Sequence, residues 1–91
     1  MNTYEIVVSG RVQGVGYRIY AMQIATEVGV TGTVRNLANG DVKLIVQADD
    51  VQLEVLQHRL QQPAHRFMRV DKLTIHPISL DKNYSDFQIV Y

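Results

Sequence analysis

The sequence predicts an α+β fold of the split βαβ kind, on three observations. Apolar residues alternate with period two in several short runs, and they recur at helical spacing in two others. The runs follow one another as strand, helix, strand, then a hairpin turn, strand, helix, strand, and a short last strand. Right-handed crossovers then place both helices on one face of an antiparallel sheet.

Tyr4 to Ser9 reads as the first strand, with Ile6 and Val8 on one face and Glu5, Val7 and Ser9 on the other. A glycine-rich loop follows. Tyr17, Tyr20, Ala21, Ile24, Ala25 and Val28 then recur at helical spacing, and Gly29 is a suitable C-terminal stop. Val30 to Asn36 reads as the second strand. Asn39-Gly40 is the strongest hairpin signal, and Val42 to Ala48 is the partner, with Val42, Leu44 and Val46 on one face. Asp49 can cap a second helix, because Gln52 stands three residues later as in a capping box. Leu53, Leu56 and Leu60 form that helix's apolar stripe, and Pro63 ends it. After a loop, Val70 to His76 reads as the fourth strand, stopped by Pro77. Phe87, Ile89 and Tyr91 alternate in a short fifth strand. This order is the ferredoxin-like pattern, which by itself implies no function.

With 91 residues the chain is expected to be one domain, 1–91, and its 46% hydrophobic content suffices for a core. There is no cysteine, which excludes disulfides and thiolate metal sites and fits a reducing compartment. No apolar run approaches membrane-spanning length, and the first residues lack a charged-then-apolar leader pattern. A cytoplasmic location is expected. Formal net charge is zero, which argues against a general nucleic-acid binder but permits a local anion site.

Gly10-Arg11-Val12-Gln13-Gly14-Val15-Gly16-Tyr17-Arg18 joins the first strand to the first helix. Glycines let backbone N–H groups turn inward as a nest, and the following helix adds unpaired N–H groups and the positive end of its dipole. A side chain at Gly14 or Gly16 is expected to obstruct the nest. The planar guanidinium of Arg18 suits a phosphate. The same loop could also serve only to turn the chain. It lacks the Gly-Lys-Ser/Thr of a nucleoside-triphosphate loop, and Ile19 stands where a dinucleotide fingerprint needs its third glycine. Asn36, within Thr33-Val34-Arg35-Asn36-Leu37-Ala38-Asn39-Gly40, could be functional or could shape the hairpin approach.

The segment from Gly10 to Arg18 resembles the first signature of the acylphosphatases. Gly32-Thr33-Val34-Arg35-Asn36, followed by Gly40 and Val42, is similar to their second, and Asp86 to Tyr91 is similar to their C-terminus. The resemblance covers essentially the whole chain. It implies hydrolysis of an acyl phosphate to a carboxylate and inorganic phosphate, with no metal or organic cofactor. It also implies that Arg18 and the loop amides of Arg11, Val12, Gln13, Gly14, Val15, Gly16 and Tyr17 bind the phosphoryl group, while Asn36 positions the attacking water. Arg11 itself is expected to be a packing or salt-bridge residue. Thr33 stands where the family usually has an aromatic residue, and Val90 where a basic one is frequent. The loop Pro63 to Met68 is expected to be about two residues longer than its family counterpart.

The chemistry agrees with that implication. A carboxylate leaving group has a conjugate acid of pKa about 4, so no general acid is needed. Positioned water and stabilised phosphoryl oxygens suffice. His58, His65 and His76 are expected to be surface or structural residues, with no metal-ligand spacing among them. A monomer acting on a small-molecule acyl phosphate, without nucleic acid or membrane, is expected. The alternative is a non-catalytic regulatory module of the same fold that binds a small anion or an amino acid. An RNA-binding sheet would need exposed aromatics on its central strands, and Val42-Lys43-Leu44-Ile45-Val46-Gln47 has none.

Overall fold

A computed structural model describes residues 1–91. The elements run β1 (Asn2–Arg11), α1 (Tyr17–Val28), β2 (Thr31–Asn36), β3 (Val42–Ala48), α2 (Asp50–Leu60), β4 (Arg69–Ile78) and β5 (Phe87–Ile89). They build one five-stranded sheet in the order β4-β1-β3-β2-β5. The pairs β1–β3, β1–β4 and β2–β3 are antiparallel, as expected from the sequence. The short β5 instead adds parallel to β2, Gly32 opposite Phe87 and Val34 opposite Ile89, so the complete sheet is mixed.

Alternation sets which face is covered. Ile6 and Val8 of β1, Val34 of β2, and Val42, Leu44 and Val46 of β3 are buried, together with Tyr17, Ala21, Ile24 and Ala25 of α1 and Leu56 and Leu60 of α2. These side chains form one core between the sheet and both helices. A buried aliphatic side chain contributes about 1.5–3 kcal/mol relative to exposure. The core therefore fixes the strand register, since a one-residue slip would turn the inward set outward.

The helix ends follow the expected local chemistry. Gly29 closes α1 with φ 91° and donates its N–H to Ala25 O at 2.9 Å. At α2 the capping box is complete: the Gln52 N–H donates to Asp49 Oδ1 at 2.7 Å, and the Asp49 N–H donates to Gln52 Oε1 at 3.0 Å.

Several boundaries differ from expectation, β5 ending at Ile89 without Tyr91 among them, and two have a clear structural cause. Pro77 does not stop the fourth strand, which runs to Ile78 with Pro77 opposite Tyr4. β4 is an edge strand bonded only to β1, and an edge tolerates a residue without an N–H. β1 likewise does not end at Ser9. A bulge between Ser9 and Gly10 carries it on to Arg11, which pairs with Arg69. Gly10 has φ 136°, and a Cβ there would run into the Arg69 carbonyl, so this glycine serves the bulge and not the loop.

The turn at Asn39-Gly40 is longer than a two-residue hairpin. Only Gly40 has positive φ. The Leu37 N–H donates to Asp41 O at 2.8 Å, and the Asp41 N–H donates to Asn39 Oδ1 at 3.0 Å.

Candidate active site

A cleft of about 160 Å³ opens where the loop between β1 and α1 meets the end of β2 and the end of the chain. It is lined by the glycine loop, Arg18, Asn36, Ile89 and Tyr91. A shallower groove of about 760 Å³ runs along the outer side of α2, between residues such as Val51, Val55 and His58. It contains neither Arg18, Asn36 nor any residue of the glycine loop, so the smaller cleft is the candidate site.

The loop is built to present N–H groups. Gly14 and Gly16 have φ 75° and 81°, while Val15 between them keeps negative φ. Alternating signs turn successive N–H groups toward one side, which makes a nest for an anion. Gly16 is also the N-cap of α1 and offers no side chain to cap it. None of the N–H groups from Val12 to Ile19 donates to a protein acceptor. Unpaired amides at a helix N-terminus attract negative charge. A Cβ at Gly14 or Gly16 would meet no protein atom within 4 Å. Both positions therefore demand glycine for their left-handed backbone and not for want of room against neighbouring protein atoms.

Arg18, the second residue of α1, is half-buried at the cleft, with its guanidinium 4.9 Å from the centre of the Tyr91 ring. The two ion pairs of the molecule use Arg59 with Glu27 and Arg69 with Asp71, so Arg18 has no carboxylate partner. Its charge is available to a ligand, and the aromatic face steadies it at one edge.

Asn36 closes β2. Its Oδ1 is buried without a hydrogen-bond partner. An unsatisfied buried acceptor costs about 1–3 kcal/mol, and in a cleft it marks a place for a donor. The backbone of Asn36 pairs with Val42 where the hairpin begins, while the hydrogen bonds within the turn are made by Leu37, Asn39, Gly40 and Asp41.

Gln13 brings the two halves together. Its Nε2 donates to Leu37 O and to Asp41 O, each at 2.8 Å. The glycine loop is thereby tied to the turn beyond Asn36. Val12 and Tyr17 have buried side chains, so only their backbone is free to serve the cleft. The Tyr17 hydroxyl donates to Leu60 O at 2.8 Å, and burial pushes its phenol well above the ordinary value, with Tyr20 adding to the effect.

Other expected residues lie elsewhere. Arg11 sits on β1 and lines a separate groove with Gln13, Gly40, Arg69 and Asp71. Of the packing or salt-bridge roles expected for it, the ion pair is not formed, and the neighbouring Asp71 pairs with Arg69. Arg35 is exposed and alternates with the inward Val34, which points it to the open face of the sheet. No group of three or more His, Asp or Glu side chains is close enough together to hold a metal ion. No helix is long and apolar enough to cross a membrane.

The family model described as Acylphosphatase matches residues 4–89. A protein named acylphosphatase from Ligilactobacillus salivarius is 35% identical over 91 residues, covering all of both chains. The crystal structure of acylphosphatase from Bacillus subtilis superimposes with a TM-score of 0.90 at 28% identity, covering all of both chains. An acylphosphatase from Coxiella burnetii superimposes with a TM-score of 0.85 at 31% identity, over 98% of this chain and 92% of that one.

Proposed function

This chain belongs to the acylphosphatase family and hydrolyses acyl phosphates, and we propose that Arg18, Asn36 and the loop amides carry out that reaction in the cleft. The observation that supports this reading best is the coincidence, in one cleft, of an unpaired arginine, unpaired amides and an orphaned Asn36 Oδ1.

The phosphoryl group of the substrate sits in the nest formed by the backbone from Val12 to Tyr17, including the N–H groups of Gly14, Val15 and Gly16. Arg18 adds charge-assisted hydrogen bonds to its oxygens. Charge on those oxygens is the main thing phosphoryl transfer requires an enzyme to stabilise. A water donates one O–H to Asn36 Oδ1, which turns a lone pair toward phosphorus. The water oxygen forms the new P–O bond as the bond from phosphorus to the acyl oxygen breaks. The electron pair leaves with the carboxylate, and the water's proton passes to a phosphoryl oxygen. The products are a carboxylate and dihydrogen phosphate. No residue titrates in this sequence of steps.

We further read the protein as a cytoplasmic monomer that does not engage nucleic acid. The strands themselves support the last point, since their aromatic residues Tyr4 and Phe87 share the inward faces and none points to the open side.

Hydrolysis of benzoyl phosphate in the presence of EDTA tests the assignment. The wild-type protein is expected to turn over. Arg18→Ala is expected to lose roughly 10³-fold in kcat/KM and to escape inhibition by inorganic phosphate. Near-normal turnover in that variant would refute the assignment. Phosphate binding without turnover in the wild type would favour a regulatory module.

A further inference from the structure

One side chain outside the cleft grips the glycine loop from behind. His65 lies in the loop between α2 and β4, and its Nε2 is 2.9 Å from the carbonyl oxygen of Val15. The Phe67 N–H donates to its Nδ1 at 3.2 Å. Nδ1 is therefore the acceptor of a neutral ring, the proton sits on Nε2, and Nε2–H donates to Val15. The ring is held from both nitrogens. Its backbone is fixed as well, because the Met68 N–H donates to His65 O at 3.1 Å and Met68 is buried in the core.

The Val15–Gly16 peptide is trans. In a trans peptide plane the C=O and the following N–H point in opposite directions. A hydrogen bond that holds the Val15 carbonyl outward consequently aims the Gly16 N–H the other way. That N–H has no protein acceptor, and Gly16 lines the cleft. Left alone, this peptide could rotate at little cost. A flip changes φ of Gly16 by about half a turn, and glycine accepts either sign. A nest at this position therefore needs a lock.

We propose that His65 is that lock: a positioning residue whose Nε2–H fixes the Val15–Gly16 peptide so that the Gly16 N–H faces the phosphoryl group. This rests on the cleft being the phosphoryl site. The same loop is tied to α1 nearby, where the Tyr20 hydroxyl donates to Gln62 O at 2.6 Å. Together with the Tyr17 bond to Leu60, this keeps His65 within reach of Val15.

The test compares wild type, His65→Ala and His65→Gln, whose Nε2–H stands close to the position of the imidazole donor. Benzoyl phosphate kinetics, the inhibition constant of inorganic phosphate and the amide NMR signal of Gly16 are measured for each. His65→Ala is expected to raise KM and the phosphate inhibition constant about tenfold, the scale of one weakened hydrogen bond to a charged group. Its kcat is expected to fall less than about threefold, because Asn36 holds the water independently. Phosphate should shift the Gly16 amide signal strongly in wild type and weakly in His65→Ala, and His65→Gln should restore part of both effects. Wild-type KM, inhibition constant and Gly16 shift in both variants would overturn the role of His65 alone. A wild-type protein whose loop amides ignore phosphate would overturn the phosphoryl site and this proposal with it. If His65→Ala does not fold, His65→Gln and the wild-type titration still decide.

Discussion

Replacing Asn36 by alanine separates chemistry from stability. The Asn36 Oδ1 atom makes no hydrogen bond to Arg18 or to the glycine loop, so Arg18 and the loop amides keep their ligand and KM should change little. What the variant loses is the acceptor that orients the attacking water. Loss of one preorganised polar group in an active site costs about 10²–10³ in kcat, or about 2.7–4 kcal/mol. Stability should move in the opposite sense or not at all. The Oδ1 atom is buried without a protein partner, so its deletion removes a group whose orphaned cost is about 1–3 kcal/mol. At about 2.1 cal/mol/K per residue, 91 residues give an unfolding entropy of about 0.19 kcal/mol/K. Each kcal/mol relieved therefore raises Tm by about 5 °C. If water already satisfies Oδ1, the shift is near zero. Benzoyl phosphate kinetics and thermal unfolding on the same preparation measure both arms. A variant with wild-type kcat and a lowered Tm would refute the reasoning, because Asn36 would then be a structural residue.

Gly16→Ala should lower Tm by about 5–10 °C, since φ 81° costs a non-glycine residue about 1–2 kcal/mol, and it should weaken phosphate inhibition as the loop relaxes. Thermal unfolding with and without phosphate checks both, and the ligand's stabilising increment should shrink. Tyr17→Phe leaves the Leu60 carbonyl without its donor and should cost about 1–3 kcal/mol at neutral pH. Burial raises the Tyr17 phenol above its ordinary value of 10.0, so the folded state keeps a proton that the unfolded chain releases above about pH 10. Wild-type stability should thus fall as pH rises beyond 10, by up to about 1.4 kcal/mol per pH unit from this group, and the phenylalanine variant should lack that part. Urea unfolding at pH 8 and pH 11 should show the gap between the two proteins narrowing at the higher pH.

The inward faces were legible because each rests on local alternation: Ile6 with Val8, and Val42 with Leu44 and Val46, declare their side of the sheet without any distant partner. The Asp49–Gln52 cap was legible for the same reason. Pro77 misled because a proline's meaning depends on whether its strand is at an edge, and only the strand order supplies that. The bulge at Gly10 was hidden likewise, since the crowding carbonyl belongs to Arg69. At the site, Arg18 and the glycines announced an anion through their own chemistry. The meeting of Arg18 with Asn36 was implied by the resemblance of two motifs, not by their spacing. Gln13 and His65 were silent as positioning residues. Their partners are backbone carbonyls of Leu37, Asp41 and Val15, which every residue type offers equally.

The two borders of the sheet bear on how this chain behaves in a crowded solution. A row of free strand amides is a template on which another copy can dock and polymerise. One border is β4, where Pro77 offers no N–H, a bulge lies in its pairing with β1, and Arg69, Asp71 and Lys72 stand charged along its length. The other is β5, only three residues long. One margin is thus guarded by proline, irregular pairing and charge, and the other by brevity. The arrangement disfavours strand-to-strand fibre growth from the folded state, so a chain without net charge to keep its copies apart has a backbone defence instead.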